Sequence, residues 1–143
     1  MTTVTVLNLS TRPRRIDPIA ATWGGLVLGI GLVIAGPRDL AVRIAIVVIV
    51  GVIAGFLTGV RAIRHRLANA AMAWVVANLF YFAFVAAASI VHWITGRQHA
   101  PAFLPGGPQR WLLVTLVSLV ATLVGGGIAN ALLRPASRRS NYS

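Results

Sequence analysis

The sequence predicts an all-α polytopic membrane protein, a bundle of four transmembrane helices. Three observations carry that expectation. Hydrophobic residues make up 57% of the 143 positions and charged residues 10%, against about 25% charged in an average soluble domain; the mean hydropathy is +0.82. The apolar residues gather into four runs, near 19–36, 40–60, 67–94 and 111–133. Each reaches or approaches the roughly 20 residues that cross a roughly 30 Å hydrocarbon core. The runs are continuously apolar and lack the period-2 alternation of barrel strands. A spanning segment must satisfy its backbone internally, so these are read as helices.

Residues 1–18 form a polar N-terminal tail containing Arg12, Pro13, Arg14 and Arg15. Its weakly alternating stretch Val4–Leu9 is too short to hold a strand alone. Arg14 and Arg15 before an apolar run ending Val33-Ile34-Ala35 have the outline of a signal peptide. The run is long for a signal core and Pro37 crowds the cut, so the first helix is expected to remain. Gly36-Pro37-Arg38-Asp39 then makes a tight hairpin, and Asp39 and Arg43, four apart, are expected to pair at the interface. Arg61, Arg64, His65 and Arg66 form the second connection. Thr95 to Arg110 is the long loop, rich in turn formers at Pro101, Pro105, Gly106, Gly107 and Pro108. The helical domain covers 19–134, and 135–143 is a C-terminal tail.

All 13 basic residues are Arg, and the acids are Asp17 and Asp39, giving a net charge of +11. The arginines flank apolar runs and form no continuous groove-tracking patch, so nucleic acid is not the expected partner. They behave as topology charges. With the N-terminus inside, the inner segments carry Arg12, Arg14, Arg15, Arg61, Arg64, Arg66, Arg134, Arg138 and Arg139. The outer ones carry Arg38, Arg43, Arg97 and Arg110. Both termini are therefore expected in the cytoplasm of a multi-pass cell-membrane protein. The inner cluster also suits anionic lipid headgroups, at about 1 kcal/mol for each basic residue near the surface. Trp74 and Trp93, about 28 Å apart along a helix, frame the third span, and Trp111 opens the fourth on the outer side. Trp23 lies a turn inside the first.

Small residues recur every four positions: Ala21, Gly25 and Gly29; Gly51, Gly55 and Gly59; Ala121, Gly125 and Ala129. Lipid tails are as apolar as Leu, so helices associate in a bilayer through close backbone approach at such faces. These positions serve either packing within the chain or an interface with a second copy or a membrane-protein partner. On the third helix Asn78, Tyr81, Ser89 and His92 fall within about an 80° arc, with Trp74 beside them. Thr115, Ser118, Thr122, Gly125 and Ala129 offer a matching face on the fourth. The two faces are expected to meet and share interhelical hydrogen bonds; the alternative is a polar path along the third helix. Val50–Arg64 also lies on Val120–Arg134 without gaps, with the small positions in phase, which suggests two parallel hairpins.

Catalytic chemistry is missing from this pattern. There is no Gly-x-Ser-x-Gly, His-Glu-x-x-His or Walker loop. His65 and His92 belong to opposite sides and His99 to a loop, so one bundle would not pair them around a haem. No cofactor or metal is expected. No acid lies inside a span, where cation-coupled transporters usually keep an ionisable group. Small multidrug transporters share this size and helix number but rely on an acid in the first helix, which this chain lacks.

With its short basic N-terminus, the motif Gly51-Val52-Ile53-Ala54-Gly55-Phe56-Leu57-Thr58-Gly59 before Arg61, and Gly125-Gly126-Gly127 before Arg134, the chain resembles small four-helix integral membrane proteins of GC-rich actinobacteria. The resemblance implies the four-helix fold and transfers no catalytic residue. The leading functional expectation is a non-enzymatic accessory subunit or scaffold. The alternative is a small oligomeric transporter or channel.

Overall fold

The computed structural model describes residues 16–62, 65–96 and 107–133. Among them are four helices: α1 (Pro18–Ala35), α2 (Leu40–Arg61), α3 (Arg66–Thr95) and α4 (Gly107–Leu132). All four are long and apolar enough to cross a membrane.

The helix ends follow from local chemistry. Asp17 is the N-cap of α1: its carboxylate accepts from the backbone N–H groups of Ile19 (3.0 Å) and Ala20 (3.3 Å), and Pro18 occupies the first turn. Gly36 ends α1, its N–H reaching the carbonyls of Leu32 and Val33. His65 precedes α3 in the left-handed region, at φ 52°, a conformation for which His is enriched among non-glycine residues. Gly96, at φ 64°, closes α3 in the same region, where a glycine has no Cβ penalty. Helix α4 begins at Gly107, four residues before the expected Trp111. A proline is tolerated in a first helical turn, because the N–H it lacks would have no partner there. The turn-rich loop therefore ends earlier than composition suggests.

Around the bundle the order is α1–α2–α4–α3, with α2 and α3 also touching across it; α1 and α4 make no close backbone approach among the described residues. The neighbours α1 and α3 run parallel, as do α2 and α4. Gly51 faces Ala121, Gly55 faces Thr122 and Gly126, and Gly59 faces Ala129. Over residues 50–61 and 120–131, the two segments that superpose without gaps in the sequence thus lie in neighbouring helices, with positions 51 and 121 and positions 59 and 129 in contact. Ala20, Leu28, Val47, Ala54, Ala73, Ala77 and Ala129 are among the fully buried residues. Large apolar side chains such as Ile49, Ile53, Leu79, Leu116 and Val120 point outward.

Helix α3 is the longest, at 30 residues against 26 for α4 and 18 for α1. Phe82 meets Trp111 at a ring-centroid distance of 5.4 Å. Beyond Phe82, α3 rises a further ~20 Å, while α4 rises only ~6 Å beyond Trp111. The C-terminal part of α3 therefore overhangs the bundle.

Candidate functional site

The polar groups of the interior fall into three places. The first is the end of the bundle where α1 and α3 begin. The Asp17 N–H donates to Asn69 Oδ1 at 2.6 Å, and Asn69 Nδ2 donates to the His65 carbonyl at 3.1 Å. Asn69 is fully buried and ties the start of α1 to that of α3. Nearby, Arg66 donates from Nε to the Ala62 carbonyl (3.3 Å) and from Nη1 to the Ala129 carbonyl (3.4 Å). It thereby neutralises carbonyls at the C-terminal ends of α2 and α4.

The second place is the α3–α4 contact. The Trp74 indole N–H is shared between the Thr115 carbonyl (3.2 Å) and Ser118 Oγ (3.0 Å). The hydroxyls otherwise turn back on their own helices. Ser118 donates to Thr115, Thr122 to Ser118 and Thr58 to Ala54, each to a backbone carbonyl at 2.7 Å. This internal bonding lets a hydroxyl be buried in an apolar interior. Trp74 is half-buried with its polar atom committed to α4. It is an interhelical strut between α3 and α4.

The third place is a cavity of about 20 Å³ at the opposite end, next to the α1–α2 hairpin. Arg43, Asn78, Tyr81, Trp111 and Thr115 line it, with Leu32, Ala35 and Val47 supplying apolar wall. Arg43 is only 8% exposed. Its Nη2 donates to the carbonyls of Gly36 and, at 3.0 Å, of Arg38. Its Nε is buried with no hydrogen-bond partner. The expected pair with Asp39 does not form: Asp39 is exposed, and the guanidinium folds inward onto the last carbonyls of α1, where the partial negative charge of that helix end lies.

The arc on α3 divides along its length. Asn78 and Tyr81 reach the cavity, and Asn78 Nδ2 also donates to the Trp74 carbonyl at 2.8 Å. Ser89 is exposed on the overhang and bonds the Val85 carbonyl; His92 is half-exposed. The structure therefore brings two of the four together. The small-residue positions Gly25, Gly29, Gly51, Gly55, Gly59, Gly125 and Ala129 are all buried. Gly25 and Gly29 face α3; the others lie between α2 and α4. Arg61 is exposed at the end of α2. Arg12, Arg14, Arg15, Arg64, Arg134, Arg138, Arg139 and His99 lie outside the described residues. Among the described residues no three His, Cys, Asp or Glu side chains gather to hold a metal ion.

Sequence reasoning missed Arg43 and Asn69 as site residues. Asn69 is nine positions before Asn78, which is half a turn round the helix at 100° per residue. It faces α1, so a search along one arc passes over it. Arg43 carried one available signal, a lone charge inside the start of an apolar run. No known protein family, curated protein or solved structure matches the chain.

Proposed function

We propose that the chain inserts in a cell membrane as a multi-pass protein with both termini cytoplasmic, alongside the small actinobacterial membrane proteins it resembles. There it acts as a non-enzymatic accessory subunit or scaffold of a larger assembly. The observation that supports this reading is the division of side chains by size. Small residues close the interior by backbone approach, while large apolar side chains cover the outside. Such a surface suits lipid and a neighbouring membrane helix, and little interior volume remains for a substrate. A shallow apolar groove of about 370 Å³ between α2 and α4, lined by Val48, Val52, Leu116, Val117 and Val120, adds outward contact area. Arg61 and Arg66, at the proposed cytoplasmic end, would meet anionic headgroups.

The test is purification of the tagged protein from its native membrane in mild detergent, followed by the intact mass of the eluted species. A discrete complex with other proteins is expected. A bare monomer in every mild detergent would overturn the assignment.

A second reading, a small oligomeric transporter or channel, is favoured by one observation: Asn78 and Tyr81 share a cavity with a buried arginine. It predicts that Asn78→Ala lowers solute flux in reconstituted vesicles by about tenfold, the equivalent of roughly 1.4 kcal/mol in a barrier, with folding retained. His92→Ala is its companion. Flux unchanged in both variants would remove the path.

A further inference from the structure

We propose that the outward groove between α1 and α2, at the end where α1 begins, binds one anionic phospholipid, with the phosphate on Arg61 and an acyl chain along the apolar wall. The proposal deepens the membrane reading and rests on its bilayer insertion.

Trp23 and Val27 of α1 and Leu57, Val60 and Arg61 of α2 line the groove, which has a volume of about 360 Å³. Ligand pockets range over about 300–1,000 Å³. The two helices are antiparallel neighbours, and this gives the groove a direction. Arg61 is the last residue of α2. Leu57 lies one turn further in, ~6 Å along the helix, and Val27 lies one turn beyond Trp23. A cation therefore marks the outer end of the groove, and apolar side chains continue toward the middle of the bundle. A phospholipid seated there presents its groups in the same order, phosphate first and hydrocarbon after.

The charge of Arg61 is uncommitted. The side chain is exposed and has no hydrogen-bond or ion-pair partner among the described residues. The end of α2 does not need it as a cap: the Ala62 N–H reaches the Thr58 carbonyl, and Arg66 Nε donates to the Ala62 carbonyl. Asp17, the described acid at this end, uses its carboxylate on the N–H groups of Ile19 and Ala20. No lining residue carries a negative charge.

Trp23 is the second observation. The indole of Trp74 is bonded to α4, whereas that of Trp23 has no hydrogen-bond partner among the described residues, and the residue is 57% exposed. An indole joins a large apolar face to one donor and suits the level where acyl chain meets polar headgroup. An unpaired cation, a free donor and an acid-free apolar wall select a ligand with an anionic head and a hydrocarbon tail. A purely apolar partner helix would leave Arg61 unpaired.

The experiment places the full chain in vesicles of phosphatidylcholine with a minority of phosphatidylglycerol, the acyl chains of one lipid or the other being brominated, and reads tryptophan quenching. The difference between the wild type and Trp23→Phe isolates the Trp23 signal. Phosphatidylglycerol is expected beside Trp23 at about fivefold over its bulk share, the preference that one basic residue near the surface supports. Arg61→Gln is expected to return it to the bulk share. Adding Leu67→Arg to Arg61→Gln restores the charge at the same end of the bundle. Leu67 is exposed and stands two positions, or 200° of helix, from the α1-facing Asn69, so this variant is expected not to restore the enrichment. Quenching in proportion to the bulk share in the wild type would overturn the proposal. So would enrichment that survives Arg61→Gln, or that Leu67→Arg restores, which would mark diffuse attraction to a basic end. Trp23 unquenched by either lipid while the other tryptophans are quenched would mean that polypeptide covers the groove, and would overturn it too. No quenching at any tryptophan would overturn the bilayer insertion itself, and this proposal with it.

Discussion

The two parallel helix pairs, α2 with α4 and α1 with α3, both close through glycine but by different contacts. Between α2 and α4 glycines stand on both sides and backbone meets backbone. A Cβ on Gly55 would sit 1.9 Å from the Thr122 carbonyl oxygen, and one on Gly125 2.1 Å from that of Val52. Between α1 and α3 the glycines belong to α1 alone, and the nearest atoms α3 presents are side-chain ones, with the backbone carbonyls of Ala73 and Ala77 farther off. Gly25 faces Val76 and Ala73; Gly29 faces Phe80 and Ala77. A backbone wall cannot yield without moving a helix, whereas a side chain has rotamers. The same residue type therefore has different tolerance at the two seams.

That contrast is open to direct test by SDS-titrated unfolding in mixed micelles, followed by circular dichroism. Gly55→Ala is expected to cost the most, about 3 kcal/mol, at the upper end of overpacking penalties. An effect below about 1 kcal/mol would mean the α2–α4 seam has slack. Gly25→Ala comes next, at about 2 kcal/mol, because its Cβ would lie 2.6 Å from Val76 Cβ and Cγ1 and 2.9 Å from the Ala73 carbonyl. Gly29→Ala is expected to cost less than about 1 kcal/mol. The atom it meets, Phe80 Cδ1 at 2.7 Å, is the edge of a ring that can swing outward. Gly127→Ala is the smallest. Nothing lies within 4 Å of its Cβ, and the gain in helix propensity leaves stability unchanged or raised by up to about 1 kcal/mol.

The helices were legible because their signal is local and strong. Four apolar runs define four helices, and most ends fall within a residue of the composition change. The early start of α4 escaped notice because Gly107-Pro108 reads as a turn until the first-turn exemption for proline is applied. The Val50–Arg64 match to Val120–Arg134 suggests two parallel hairpins; what the structure shows is narrower, α2 and α4 packed together through small residues at 51 and 121 and at 59 and 129. The cavity was not legible. It draws Leu32, Arg43, Asn78, Tyr81, Trp111 and Thr115 from four helices, and no single periodicity encodes that convergence. Whether Arg43 pairs with Asp39 or folds onto Gly36 depends on what covers it, which is a long-range property.

The overhang of α3 has a consequence for depth. Thirty residues of helix rise about 45 Å, the full thickness of a bilayer with its headgroups, while eighteen rise about 27 Å, slightly less than the hydrocarbon core alone. No slab of uniform thickness matches both helices. Tilting α3 until it fits a ~30 Å core would need an inclination near 48°, beyond the ~0–40° that membrane helices adopt. In the proposed bilayer the tip carrying Ile90, Trp93 (84% exposed) and Ile94 would therefore stand in the headgroup layer. The α1–α2 hairpin and Arg43 would lie recessed below it, making the surrounding membrane thinner on the α1 side than on the α3 side.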